Sequence, residues 1–114
     1  METAETPWAI TQEKVDETVA RIVQKCSPRR VILFGSFARG ETDRNSDLDL
    51  LVVTQQEVEN PRRESVRIRR ELRGISMPMD ILVVSESRLQ VLADAPGLIY
   101  REALRNGKVV YESR

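Results

Sequence analysis

The chain contains no histidine and only one cysteine. Without histidine, neither imidazole base catalysis nor imidazole metal ligation is available. A single cysteine cannot form an internal disulfide, and Cys26, on the apolar face of an expected helix, reads as a buried thiol. The chain has no net charge: 18 basic residues balance 18 acidic ones, so there is no global pull toward nucleic acid. It has no apolar run long enough to cross a membrane and no signal-peptide pattern, from which a soluble, cytoplasmic protein without membrane association is expected. No internal repeat and no low-complexity segment occur.

The chain has 114 residues, the length of one domain. Residues 1–10 read as an N-terminal tail and 11–114 as a single domain. Such a length buries one core and leaves no room for a separate substrate domain. An acceptor is therefore expected to bind an open cleft or to arrive on a partner.

Periodicity divides the domain into elements. Trp8 is expected to tether the tail. Thr11 caps a first helix, Ile10 and Val15 sit at staple spacing, and Val15, Val19, Ile22, Val23 and Cys26 form one helical face that ends at Pro28. Val31 to Phe34 reads as a buried strand and Ser46 to Val53 as a second. Between them, Glu41 to Asn45 reads as a charged loop in which Arg44 is either solvated or in reach of a phosphate. Asn60-Pro61 opens a helix running to about Arg73. Its inward stripe is thin (Ser65, Ile68, Leu72), and it carries Arg62, Arg63, Arg67, Arg69, Arg70 and Arg73. That face reads either as a solvated surface or as a dock for an acidic partner or RNA phosphates. Met79 to Val84 is a third strand. Ser85 or Ser87 caps a short helix in which Leu89 and Leu92 face inward. After Pro96-Gly97 comes a helix over about 98–105, which Asn106-Gly107 stops in left-handed conformation. Lys108 to Glu112 forms a last strand with Val109 and Tyr111 on one face. The expected architecture is a small α/β domain: a mixed sheet with helices packed mainly on one face and a site at one edge.

The residues with chemical potential lie at the strand ends. Gly35 follows the first strand, where glycine permits positive φ and close approach of a ligand. Ser36 then opens a short helical turn that can present its hydroxyl and backbone N–H groups to an anion, with Arg39 placed to reach the same anion. In the second strand Asp47 and Asp49 share a face. Like charges side by side repel, and a cation between them relieves the strain. Oxygen-only sites of this kind suit Mg²⁺ completed by substrate phosphates. Asp80 stands near the start of the third strand. If that strand neighbours the second, three carboxylates converge around a pair of ions about 4 Å apart, an arrangement suited to in-line phosphoryl or nucleotidyl transfer. Taken singly, a Gly-Ser turn, an Asp-x-Asp and a strand-opening Asp are ordinary structural features; their conjunction is specific.

Gly35-Ser36, ten residues, then Asp47-Leu48-Asp49 resembles the signature of the nucleotidyltransferase superfamily that includes DNA polymerase β. The form Gly-Ser-Phe-Ala-Arg-Gly-Glu resembles its minimal nucleotidyltransferase family, and so does the ending from Tyr100 to Glu112. The resemblance implies the polymerase beta-like nucleotidyltransferase fold. It places Gly35 and Ser36 on the nucleotide phosphates, Asp47 and Asp49 on divalent metal, and Asp80 on the attacking hydroxyl and in the carboxylate set around two Mg²⁺ ions. Arg39 joins the nucleotide-binding group. It further implies AMP transfer from ATP to a hydroxyl, expected to be a tyrosine of a HEPN-domain toxin encoded nearby, so that the chain acts as an antitoxin. The alternatives are neutralisation of the partner by stoichiometric binding, or transfer to a small molecule or RNA.

Overall fold

Four consecutive apolar side chains require a strand covered on both faces, and Leu50, Leu51, Val52 and Val53, like Leu48 before them, are all 0 % exposed. In the computed structural model, which describes residues 8–41, 46–92 and 99–113, they form β2 (Leu48–Thr54), an inner strand of a four-stranded sheet. The other strands are β1 (Arg30–Phe34), β3 (Met79–Ser85) and β4 (Lys108–Glu112), in the order β3-β2-β1-β4. β1 pairs antiparallel with β2 and β4, while β2 and β3 run parallel. The helices are α1 (Gln12–Cys26), α2 (Gly35–Ala38), α3 (Pro61–Glu71), α4 (Glu86–Leu92) and α5 (Ile99–Asn106). The mixed sheet and the α/β class are thus as the sequence pattern implies. Among the described residues no helix is long and apolar enough to cross a membrane.

The two longest helices share one face of the sheet. There Val15 and Ile22 of α1 and Ile68 of α3 meet Val31, Leu33, Leu50, Val52, Ile81 and Val83. Alternate strand residues point the other way, and Ile32, Phe34, Leu51, Val53 and Val84 pack against Leu89 of α4 and Ala103 of α5. Arg30 holds this lighter layer in place through two bonds to Glu86, of 2.9 and 3.0 Å.

The ends of the elements follow their local chemistry. Thr11 accepts from the Lys14 N–H and Asn60 from that of Arg63, the two side-chain caps expected. Ser27 ends α1 in the left-handed region, φ 46°, just before Pro28. Ser85 caps α4 through the Arg88 N–H. The Ser65 hydroxyl of α3 donates to the Ile81 carbonyl of β3 at 2.8 Å, and so covers part of an edge strand.

Three expectations are corrected. Trp8 is 55 % exposed and is not part of the core that would anchor the tail. Val109 and Tyr111 lie on opposite faces, because a bulge between Val31 and Ile32 pairs Tyr111 with Val31 but Val109 with Ile32. Gly107 is absent from the positive-φ glycines. Its role is steric, since a Cβ there would lie 2.2 Å from the Ala103 carbonyl and 2.8 Å from both Ile32 and the Leu33 carbonyl. Two of those three neighbours are backbone atoms, which cannot yield cheaply. Gly107→Ala is therefore expected to destabilise the domain by about 1–3 kcal/mol, measurable as a lower midpoint of chemical denaturation.

Candidate functional site

The end of β1 and the beginnings of β2 and β3 meet at one end of the sheet. Register pairs Phe34 with Asp49, and Asp49 with Asp80. All three lie on the face that α4 and α5 cover; Phe34 belongs to the cluster that those helices bury, and Asp49 and Asp80 stand outside it. The chain leaves β1 at Gly35 with φ 78°, a conformation that disfavours any side chain. Close packing adds a second demand for glycine, because a Cβ at position 35 would lie 2.2 Å from Asp49 Oδ2. The Asp49 carboxylate therefore lies against a bare Cα at the mouth of the Gly35-Ser36 turn. The turn itself is tied down: the Ser36 carbonyl accepts from the N–H groups of Arg39 (3.1 Å) and Glu41 (2.8 Å).

Asp47 stands slightly apart. The strand begins at Leu48, not at Ser46, because the parallel ladder with β3 begins at Leu48 opposite Met79 and β1 already ends opposite Asp49. Asp47 is exposed, whereas Asp49 is half-buried. The carboxylates still feel one another. Burial pushes the Asp49 carboxyl above the ordinary aspartate range, the charges of Asp80 and Asp47 push it further, and Arg39 partly offsets them. Arg39 is itself engaged by Glu41 at 3.0 Å and Glu102 at 3.5 Å. It lies within electrostatic reach of the site, with its guanidinium divided between two acidic partners. Arg44 lies outside the described residues.

A pocket of about 290 Å³ opens here, lined by Phe34, Asp49, Arg69, Asp80, Ile81 and Leu82. Arg69 is the residue that sequence reasoning missed. It was one of six arginines on a helix, yet Ser65, four positions earlier, lies on the inward stripe, and that spacing puts Arg69 on the same side. Two larger hollows, of about 580 and 610 Å³, flank the 55–61 connection near the other end of β2. They are remote from the aspartates.

The site offers oxygen ligands only. Among the described residues no three acidic or sulfur side chains converge to metal-ligand spacing. Such an open set fits Mg²⁺, which takes one or two carboxylates and completes its shell with water and substrate phosphates. The raised Asp49 carboxyl supports that fit, since a cation offsets the repulsion that raises it.

Residues 17–114 match the family described as polymerase beta, nucleotidyltransferase. Among curated proteins, none matches the chain. Solved structures share the fold. One, described provisionally as a nucleotidyltransferase from Sulfolobus solfataricus, is 22 % identical with a TM-score of 0.61, over 88 % of this chain and 78 % of the other. A chain of a toxin–antitoxin structure with AMP-PNP is 19 % identical with a TM-score of 0.57, over 87 % and 74 %. A chain of a mutant MntA–HpeT toxin–antitoxin is 17 % identical with a TM-score of 0.59, over 92 % and 76 %.

A raised Asp49 carboxyl has a defined effect on stability. Between the unfolded and folded values the folded state binds more protons, so stability falls as pH rises through that window. In metal-free buffer, Asp49→Asn is expected to melt at higher temperature than the wild type at pH 7. The gap should close as pH falls into the ordinary carboxylate range. Calorimetric melting across pH checks both statements.

Proposed function

The chain belongs to the polymerase beta nucleotidyltransferase family, and on that footing we propose that it transfers AMP from ATP to a hydroxyl group of a protein partner. The observation that carries the reading is the Asp49 carboxylate, seated against the bare Gly35 and in register with Asp80.

Asp47 and Asp49 would hold Mg²⁺, which when bound neutralises the triphosphate and polarises its α-phosphate. Gly35 leaves room for the phosphates to approach the turn, and Ser36 offers them a hydroxyl and a backbone N–H. Arg39 adds positive potential beside them. Asp80, across the strand pair from Asp49, receives the proton of the acceptor hydroxyl. The acceptor oxygen forms a bond to the α-phosphorus, the bond to the bridging oxygen breaks, and pyrophosphate leaves with that electron pair. Catalysis by the chain is then a matter of positioning and electrostatics.

The structural likeness to chains of toxin–antitoxin complexes, one of them with AMP-PNP, supports a toxin as the partner. The minimal-family resemblance of Gly35 to Glu41 supports a HEPN-domain toxin with a tyrosine acceptor, and antitoxin action through its modification. A site at which Asp47 and Asp80 are exposed is consistent with a substrate that arrives on a protein.

The test is label transfer from α-labelled ATP and Mg²⁺, with and without the product of the neighbouring gene. Asp49→Ala is expected to reduce transfer by at least about 10²-fold, and omission of Mg²⁺ should abolish it. If neither protein takes up label while the Asp49→Ala chain still neutralises the toxin, the protein acts by stoichiometric contact and the transfer reading falls.

A further inference from the structure

α3 does two things at once. Its inward side packs Ile68 into the core and fastens Ser65 to the edge of β3. The flank beside that inward side carries Arg62, Val66 and Arg69, continued by Arg73 just past the helix, at spacings of four, three and four residues. Those spacings describe one helical face, and all four residues are exposed. Val66 is 46 % exposed in the middle of the row. Among the described residues the guanidinium groups of Arg62, Arg69 and Arg73 have no hydrogen-bond or ion-pair partner. Arg67 differs: it is spent on Glu64. The row runs into the pocket, because Arg69 lines the same 290 Å³ hollow as Asp49 and Asp80.

We propose that this face of α3 docks an acidic segment of the protein partner, and that Arg69 steers an anionic side chain of that segment to the acceptor side of the pocket, beside Asp80. Free guanidinium groups around an exposed aliphatic side chain complement carboxylates around an apolar one. α3 offers no aromatic side chain for base stacking, and the chain has no net positive charge, so single-stranded RNA is the poorer fit. Two functions of the pocket then divide between its walls. On the Gly35-Ser36 side Arg39 is already compensated by Glu41 and Glu102; on the β3 side Arg69 remains available for an incoming anion. The steering role of Arg69 rests on the nucleotidyl-transfer reading, whereas the docking face does not.

The experiment uses three fluorescent probes on the whole chain: a glutamate-rich peptide containing leucine and tyrosine, its glutamine counterpart, and a single-stranded RNA of equal formal charge. The glutamate peptide is expected to bind most tightly, and more weakly as salt is added. Arg62→Gln with Arg73→Gln is expected to weaken it about fivefold, with unchanged melting temperature and unchanged calorimetric binding of Mg²⁺·AMP-PNP. Arg69→Gln should weaken peptide binding and Arg69→Lys restore part of it. Tighter binding of the RNA, equal binding of both peptides, or indifference to the double substitution overturns the proposal. Wild-type chain that binds the glutamate peptide but not Mg²⁺·AMP-PNP would sink the transfer reading and leave the docking face standing. Nucleotide binding without peptide preference does the reverse.

Discussion

The packing of one carboxylate against one glycine governs the geometry of this protein's open end. Asp49 Oδ2 fills the space that any side chain at position 35 would need. That contact holds only while β1 stops at Phe34, opposite Asp49, and the chain turns away with positive φ at the next residue. The same pairing brings Asp80 alongside through the parallel β2–β3 ladder. The Asp49 carboxyl is thereby partly desolvated and set near two like charges, an arrangement that costs the domain stability at neutral pH.

Unequal cover of the sheet keeps that end accessible. α1 and α3 close one face with a continuous apolar cluster. The short α4 and α5 bury a smaller cluster on the other. Strand alternation sends Phe34, Asp49 and Asp80 to the lightly covered face, where Phe34 is buried and the two aspartates lie outside the buried cluster. A third layer there would have closed the site. Its absence among the described residues leaves a pocket whose rim is built from β3 and from Arg69 on the helix that flanks it.

Much of this was legible in the sequence. The run from Val31 to Phe34, the Gly-Ser turn and the alternation around Asp49 are local signals, and each maps to a local structure. The caps at Thr11, Asn60 and Ser85 were readable for the same reason: a side chain bonding three residues ahead is a short-range event. What depended on the far side of the fold was not readable. Gly107 resembled a left-handed stop, yet its small size serves the backbone of β1, distant in sequence. Val109 and Tyr111 fit a period of two until the bulge inserted one residue between their faces. The start of β2 slipped from Ser46 to Leu48, since strand ends are set by the partner's length. Arg69 was one arginine among six until the packing of α3 against β3 separated it from the rest.

The bulge in β4 and the Ser65 bond on β3 have a shared consequence for solubility. A sheet with bare edges recruits further strands and grows into aggregates. Here β3 has an edge carbonyl occupied by a helix side chain, and β4 is kinked so that its outer rim is a poor template for another strand. Both features make the two edges of the sheet poorer templates for the addition of a foreign strand.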